Sequence, residues 1–353
     1  MKPVSSTIGI NKIGIIGAGR MGSDIFNFLT AFDYELVWVC IDESESHSLQ
    51  QSFEKRIRRQ HKCGILDEQQ LLKKIQSVTI SHQVSSLRGC NLIIECIWED
   101  IAKKKLMYQQ VIPYLTATCI LASNSSSFLP SQLVPDTTLV ERFVGLHFFY
   151  PVKLKNMVEI IAMQQTSQET IAALKDFCLK TEKKTLLQDE KNAFWLNRLF
   201  LEVQNESFLL VAEGKISYKQ LDDIVSEQLF PEGIFRFFDQ VGIDIMLQSI
   251  KNYTAANRTP YQVMLCKLEE LQSKNHLGVK TGAGFYQYDA PDMRAEKKIY
   301  TDNPFYREII TRLKKAYTGK AQQLIDDGAC DRDTLDYAAK EYMNTDKGPF
   351  GLG

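Results

Sequence analysis

A histidine and a glutamate, twelve residues apart, are the best candidates for acid–base chemistry in this chain. His147 lies within the apolar run of residues 142–149, and Glu159 lies within the next strand-like run, residues 157–161. A carboxylate that orients an imidazole also makes it more basic, which gives a proton acceptor near neutral pH. Taken singly, each residue also suits a packed or surface position. The chemistry therefore depends on whether the two strands bring the side chains together.

Further polar side chains stand where neighbouring segments are apolar. Asn124-Ser125-Ser126-Ser127 follows a buried strand and offers amide and hydroxyl donors for a substrate oxygen, although an ordinary polar loop has the same composition. Asn197 interrupts the apolar run of residues 194–199, where it is suited either to a ligand or to a helix–helix contact.

A glycine-rich segment near the start of the chain has the pattern of a phosphate-binding turn. The apolar run of residues 12–16 leads directly into Gly17-Ala18-Gly19-Arg20-Met21-Gly22. The first glycine permits a tight turn, the second lets a pyrophosphate approach the backbone, and the third lets the following helix lie close to the strand. N–H groups at the start of that helix then face the phosphates.

Asp42 follows a second apolar run, residues 36–41, and is suited to bind a ribose. Its carboxylate accepts hydrogen bonds from both adenosine ribose hydroxyls and repels a 2′-phosphate. Glu43 and Ser44 come next, without a nearby arginine for such a phosphate. The pattern predicts NAD rather than NADP as the cofactor. The glycine turn alone does not distinguish NAD from FAD, or a dinucleotide site from an ordinary turn.

Composition narrows the class of protein. The chain has 353 residues, 44% of them hydrophobic, with 42 basic and 43 acidic side chains. This favours a globular protein of more than one domain and argues against a nucleic-acid binder. There is no apolar run of membrane-spanning length and no signal-peptide pattern, so we expect a cytoplasmic protein without a membrane partner. The eight cysteines include no Cys-x-x-Cys pair, so we expect reduced thiols and no metal site.

The order of the segments predicts the fold. Apolar runs at residues 91–97, 118–123, 142–149 and 157–161 read as strands, and residues 50–76 and 103–115 read as helices. This alternation predicts an α/β protein with an N-terminal Rossmann-like, doubly wound, mostly parallel sheet. After about residue 190 the pattern is helical, beginning with residues 193–213. We expect an NAD-binding domain at residues 10–190, a helical substrate and dimerisation domain at 191–288, and a helical extension at 289–353.

A weak internal repeat links the last two segments. Leu221-Asp222 precedes the bend at residues 230–235, and Leu335-Asp336 precedes a similar bend at residues 346–350. Both bends contain glycine, proline and phenylalanine. Two such matches also arise by chance.

Taken together, these segments resemble the L-3-hydroxyacyl-CoA dehydrogenase family. Residues 122–127 are similar to its ASN[ST]SS segment, 145–149 to GLHFFNP, 158–161 to VEII, and 280–286 to KTGxGFY, while Asn197-Arg198 falls at its NR pair. The resemblance covers about residues 10–288. The extension resembles the start of the second C-terminal repeat of longer, multifunctional members.

The resemblance implies an NAD-dependent dehydrogenase of 3-hydroxyacyl thioesters. It implies that His147 is the base, that Glu159 orients it, and that Ser126 and Asn197 hold substrate oxygens. The cofactor-binding residues that we predict are Gly17, Gly19, Arg20, Met21, Gly22, Asp42, Glu99, Lys104, Asn124, Tyr150 and Lys280. Ser52 and Arg59 are weaker candidates for CoA contacts, because a solvated helix face explains them equally well. We expect a homodimer in which the extension supports stability or dimerisation rather than chemistry.

Departures from the family pattern leave alternatives open. Tyr150 stands where the family has the Asn of FFNP, and Asn192-Ala193 replaces a Pro-Gly pair. The substrate could therefore be an acyl-CoA, a carrier-protein thioester or a small hydroxy acid. A non-catalytic NAD-binding protein is the remaining alternative, and Tyr150 is the only argument for it.

Overall fold

The chain divides into two compact units at the junction between Ala193 and Phe194. The structure, a computed structural model, describes residues 8–288 and 303–351.

The first unit is built on one eight-stranded sheet. The strands are β1 (Lys12–Ile16), β2 (Glu35–Val39), β3 (Val78–Ser81), β4 (Leu92–Glu95), β5 (Ile120–Ser123), β6 (Phe143–Phe148), β7 (Met157–Ala162) and β8 (Lys184–Asp189). Their order across the sheet is β3-β2-β1-β4-β5-β6-β7-β8. All neighbouring strands are parallel except β6 and β7, which are antiparallel. The predicted α/β class with a mostly parallel sheet is confirmed.

Helices cover this sheet because its strands are apolar on both faces. Along β4, Leu92 and Ile94 belong to one buried cluster and Ile93 to the other. Burial on both faces accounts for the nearly continuous apolar runs in the sequence. The helices are α1 (Arg20–Leu29), α2 (Glu43–Lys62), α3 (Glu68–Gln76), α4 (Ile101–Val111), α5 (Pro130–Leu133) and α6 (Gln168–Lys180).

The helix predicted over residues 50–76 is two helices in the structure. After α2, Gly64 adopts a left-handed backbone with φ of +73°, which ends a helix readily. Asp67 then begins α3 with a capping box in which its side chain accepts from the Gln70 backbone N–H. Both signals, a glycine and an N-cap aspartate, are visible in the sequence, and the prediction of one continuous helix overlooked them.

The second unit is helical throughout its described residues, apart from isolated bridges near residue 283. Its helices are α7 (Trp195–Ala212), α8 (Tyr218–Gln228), α9 (Ile234–Val241), α10 (Ile243–Tyr253), α11 (Gln262–Ser273), α12 (Pro304–Asp326) and α13 (Arg332–Met343). The last two lie in the extension, and α12 packs along α7. Residues 289–302 and 352–353 of the predicted extension lie outside the described residues.

None of the helices in the described ranges is both long enough and apolar enough to cross a membrane.

Candidate active site

The glycine turn between β1 and α1 has the geometry that a pyrophosphate requires. Gly17 has a φ of +102°, and a Cβ added at Gly22 would lie 2.1 Å from the Gly17 carbonyl oxygen. A Cβ at Gly19 would meet no described protein atom within 4 Å. Among the described residues no side chain caps the start of α1, so the backbone N–H groups of its first turn are presented to an anion. The turn therefore fits a dinucleotide.

Asp42 follows by three residues the end of β2, the strand that holds the glycine turn. The backbone N–H of Gly17 donates to the carbonyl oxygen of Val39 at 2.8 Å, which ties the turn to β2. Asp42 also caps α2, since its Oδ1 accepts from the Glu45 N–H at 2.8 Å. A carboxylate offers about four acceptor positions, so the cap leaves capacity for ribose hydroxyls.

His147 and Glu159 are cross-strand neighbours. They lie directly opposite each other where β6 and β7 pair in antiparallel register, and His147 Nδ1 is 2.7 Å from Glu159 Oε2. Glu159 is fully buried, and His147 is 7% exposed. A carboxylate only accepts, so Nδ1 carries the proton in the neutral ring and Nε2 presents the lone pair. The arrangement can take up a proton at Nε2 and stabilise the resulting imidazolium.

Gln188, on β8, is a partner of this pair that the sequence analysis missed. Its Nε2 donates to Glu159 Oε1 at 2.8 Å, so both oxygens of the buried carboxylate accept a hydrogen bond. The two donors fix the rotation of the Glu159 carboxylate. β8 itself was not predicted, and without that strand the sequence gives no signal that Gln188 faces Glu159.

The serine-rich loop after β5 is held by hydrogen bonds within the first unit. Asn124 Oδ1 accepts from the Phe148 backbone N–H at 2.8 Å, which ties the loop to β6 one residue after His147. The hydroxyls of Ser125 and Ser127 both donate to Glu99. Ser126, the residue predicted to hold a substrate oxygen, is half-buried between them.

A buried polar cluster below this loop was also missed. Glu95 is fully buried and accepts from Lys104 Nζ at 2.6 Å, Tyr108 Oη at 2.6 Å and Ser123 Oγ at 2.8 Å. Lys104 also pairs with Glu99 at 3.3 Å. Burial alone lowers the pKa of Lys104, but the two carboxylates outweigh it and raise that pKa. Lys104 is thus a fixed cation whose side chain is 1% exposed, and it links the serine-rich loop to the sheet.

The remaining predicted residues lie in different parts of the two units. Tyr150 is 46% exposed, and its ring stacks on Arg20 of the glycine turn. Ser52 and Arg59 are exposed on α2. In the second unit, Lys280 forms an ion pair with Asp244.

Asn197 lies near the start of α7 and is held by two phenols. Its Nδ2 donates to Tyr253 Oη at 2.8 Å, and its Oδ1 accepts from Tyr342 Oη at 3.1 Å. Tyr253 ends α10, and Tyr342 belongs to α13 of the extension. The sequence presents Asn197 as a lone polar residue on an apolar helix, so neither contact was foreseen.

The sheet order, the glycine turn and Asp42 together define an α/β dinucleotide-binding protein. The chain belongs to the 3-hydroxyacyl-CoA dehydrogenase family. The model of that family's NAD-binding domain matches residues 12–191, and the model of its C-terminal domain matches residues 194–288. The predicted family and cofactor, an NAD-dependent oxidoreductase, are thereby confirmed, and FAD is set aside.

Individual relatives agree with this assignment. The chain is 28% identical over 283 residues to a 3-hydroxybutyryl-CoA dehydrogenase from Bradyrhizobium diazoefficiens, covering 79% of this chain and 96% of that one. It is 29% identical over 284 residues to the glyoxysomal fatty acid beta-oxidation multifunctional protein MFP-a of Brassica napus, covering 79% of this chain but only 38% of that protein's length.

A solved structure extends the likeness in fold beyond the family models. The 3-hydroxybutyryl-CoA dehydrogenase of Escherichia coli K12 superposes with a TM-score of 0.81 at 17% identity, covering 98% of this chain and 91% of the other. Coverage this complete includes the helices of the extension.

Proposed function

We propose that this protein interconverts 3-hydroxyacyl-CoA and 3-ketoacyl-CoA thioesters with NAD as the redox partner. The observation that carries the proposal is the buried His147–Glu159 pair, 2.7 Å apart on neighbouring strands, in a chain of this family. His147 Nε2 takes the proton of the 3-hydroxyl as the C3–H bond breaks and a carbonyl forms. NAD, held by the glycine turn and Asp42, would supply the acceptor for the hydride that leaves C3. Glu159 stabilises the charge that His147 gains, and in the reverse direction the imidazolium returns the proton.

In this proposal, residues of the chain itself are assigned to cofactor binding. In this proposal the glycine turn holds the pyrophosphate and Asp42 holds the adenosine ribose, while Arg20 and Met21 begin the helix that faces the phosphates. Asn124, Glu99, Lys104, Tyr150 and Lys280 complete the proposed cofactor-binding set. Because Lys104 is paired with Glu95 and Glu99, its charge would act by fixing the serine-rich loop as much as by direct contact.

Substrate binding is assigned on the resemblance and on the polar character of the residues. Ser126 and Asn197 are proposed to hold the substrate oxygens, and the exposed Ser52 and Arg59 of α2 are proposed to meet the CoA moiety. We further propose a cytoplasmic homodimer that acts in fatty-acid metabolism, with residues 10–190, 191–288 and 289–353 as its NAD-binding domain, substrate domain and extension.

The proposed partial repeat in the extension has a packing feature in its favour. A Cβ on Gly233 would lie 2.4 Å from the Asp222 side chain, and a Cβ on Gly348 would lie 2.0 Å from Asp336 Oδ1. In both places a helix-borne acid packs against the glycine of the following bend. Asp239 and Gly284 make a similar contact outside the proposed repeat, so the contact alone does not identify a repeat. The repeat is supported by the order that both segments share: a helix with an acid, then a bend with glycine and phenylalanine.

The test is loss of NADH absorbance with a panel of 3-ketoacyl thioesters on CoA and on a carrier protein, together with small keto acids. We expect turnover of the CoA thioesters. His147→Gln should lower turnover by roughly two to four decades while NADH affinity is unchanged, which is the usual effect of removing a positioned base. If only the carrier-protein thioesters or only the small keto acids are turned over, that class is the substrate instead of the CoA thioesters. NADH binding without turnover of any member would contradict catalysis.

A further inference from the structure

The extension contacts a residue of the proposed substrate site. Tyr342, on α13, donates from its hydroxyl to Asn197 Oδ1 at 3.1 Å. The opposite end of the amide, Nδ2, donates to Tyr253 Oη at 2.8 Å. An amide held at both ends cannot rotate without breaking a hydrogen bond, so its oxygen and nitrogen each keep a defined direction.

Tyr342 is itself held in place by aromatic packing. Its ring centroid lies 5.3 Å from that of Phe200, which follows Asn197 by three residues and therefore shares its face of α7. Phe200 also packs against Tyr317 of α12 at 5.5 Å. One face of α7 thus meets both helices of the extension, and the Tyr342 hydroxyl reaches the Asn197 amide on that face.

Charge pairing fixes α12 against α7 further along. Arg312, on α12, donates to Glu213 at 2.8 Å and 2.9 Å and also pairs with Glu206. Arg312 is 29% exposed, so this contact orients the helices more than it stabilises them. The extension is therefore held against α7 at both ends of the contact.

We propose that Tyr342 is a positioning residue for the dehydrogenase reaction, and that the extension orients the Asn197 amide toward the substrate. This inference rests on the proposed function, in which Asn197 binds a substrate oxygen. It differs from the sequence-based expectation that the extension affects stability or dimerisation alone. A fixed amide keeps its polar atoms in one orientation relative to the substrate, which a positioned hydrogen bond requires.

The test compares Tyr342→Phe with wild type in the full-length protein. The variant keeps the ring against Phe200 and loses only the hydroxyl. We expect kcat/KM for acetoacetyl-CoA to fall about 5- to 10-fold, the effect of one lost hydrogen bond. The NADH dissociation constant and the melting temperature should stay at wild-type values. Tyr317→Phe is the matched control, because it removes a buried hydroxyl from the same aromatic cluster and should leave kcat/KM unchanged.

A double variant separates positioning from general support of the fold. In the Asn197→Ala background, adding Tyr342→Phe should cause no further loss, because the group that Tyr342 orients is absent. Tyr253→Phe removes the phenol at the other end of the amide and should also lower kcat/KM. The inference is wrong if the double variant's loss of kcat/KM equals the product of the two single losses. It is also wrong if Tyr342→Phe has the same kcat/KM as the control Tyr317→Phe.

The two proposals fail in different ways. If Asn197→Ala retains wild-type kcat/KM, the substrate role of Asn197 is wrong, and the inference fails with it. If Asn197→Ala is impaired and Tyr342→Phe is not, the proposed function stands and the inference alone fails. A Tyr342→Phe variant that only melts at a lower temperature likewise makes Tyr342 structural and contradicts positioning.

Discussion

The guanidinium carbon of Arg20 lies 4.0 Å from the ring centroid of Tyr150. Arg20 begins α1 directly after the glycine turn, and Tyr150 follows β6, so this cation–π contact joins the dinucleotide-binding turn to the β6–β7 loop. A second link lies close by, where Asp24 Oδ2 accepts from the Val152 N–H at 2.7 Å. Tyrosine in place of the family's asparagine is thus accommodated by stacking its half-exposed ring on Arg20.

This contact gives a prediction for Tyr150→Asn. In the proposed cofactor mode the pyrophosphate lies next to Arg20, and we expect the Tyr150 ring to hold the guanidinium away from it. An exposed cation–π contact is worth about 0.5–1 kcal/mol. Removing the ring should therefore tighten NADH binding about 2- to 5-fold, as measured by the quenching of protein fluorescence. Tyr150→Phe keeps the ring face and should bind NADH like wild type.

The same variant tests acyl-chain selection. A smaller side chain beside the loop should widen tolerance among C4 to C16 3-ketoacyl-CoA substrates, since a one-methylene difference in fit is worth roughly 1–3 kcal/mol. Unchanged NADH affinity together with an unchanged chain-length profile would make Tyr150 a neutral substitution.

Asp42→Ala should weaken NADH binding and narrow the preference for NADH over NADPH. The carboxylate provides both the ribose contacts and the repulsion of a 2′-phosphate, so both effects disappear together. Asp42 also caps α2, and loss of a cap costs about 1 kcal/mol of stability.

Asp67→Ala is the matched control for Asp42→Ala, because Asp67 caps α3 in the same unit. It should show the loss of stability without the change in cofactor preference. If Asp42→Ala has the same NADH and NADPH dissociation constants as wild type, the assignment of Asp42 to the ribose is wrong.

The sequence was informative wherever strong local patterns set the structure. The apolar runs around Ile93 and Val144 predicted strands because strands buried on both faces need them. It failed at β3 and β8, the two edge strands of the sheet. Short edge strands depend on their neighbours more than on their own residues. The break between α2 and α3 was overlooked although Gly64 and Asp67 mark it.

The same distinction applies to the candidate site. His147 and Glu159 were found because a histidine and an acid on consecutive strands are visible in the sequence. Gln188 and the Glu95–Lys104 pair were missed, because a buried polar group is recognised only by its partners. Tyr150 stood out as unusual in the sequence, but its stacking on Arg20 across 130 residues did not.

Asp222 gives a prediction about pH and stability. Burial raises the pKa of this carboxyl to about 6. Hydrogen bonds from the Phe235 N–H, the Tyr286 hydroxyl and the Arg236 N–H lower the pKa, but burial outweighs them. Between roughly pH 4 and 6 the folded state therefore binds more protons at Asp222 than the unfolded state does. Its contribution to the free energy of unfolding is present at low pH and is lost as the pH rises through about 6, by at most about 3 kcal/mol.

Asp222→Asn removes that titration. Its free energy of unfolding in urea, measured at steps from pH 4 to 7, should lack the decline that Asp222 contributes to wild type. The variant should therefore be most destabilised relative to wild type at the acid end of the range. A wild-type minus variant difference that is constant across this range would show that Asp222 does not titrate there.

Gln188 provides the sharpest test of how the catalytic pair is held. Gln188→Leu removes the donor to Glu159 Oε1 and leaves a fully buried carboxylate oxygen unpaired, which costs about 1–3 kcal/mol. The carboxylate is then free to rotate away from His147, so kcat should fall about 10-fold while the NADH dissociation constant is unchanged. Gln188→Glu should be worse than Gln188→Leu, because it places a second carboxylate against Glu159 in a buried site. If both variants keep wild-type kcat and an unaltered pH–rate profile, the rotation of Glu159 is fixed by other contacts and Gln188 has no part in positioning the pair.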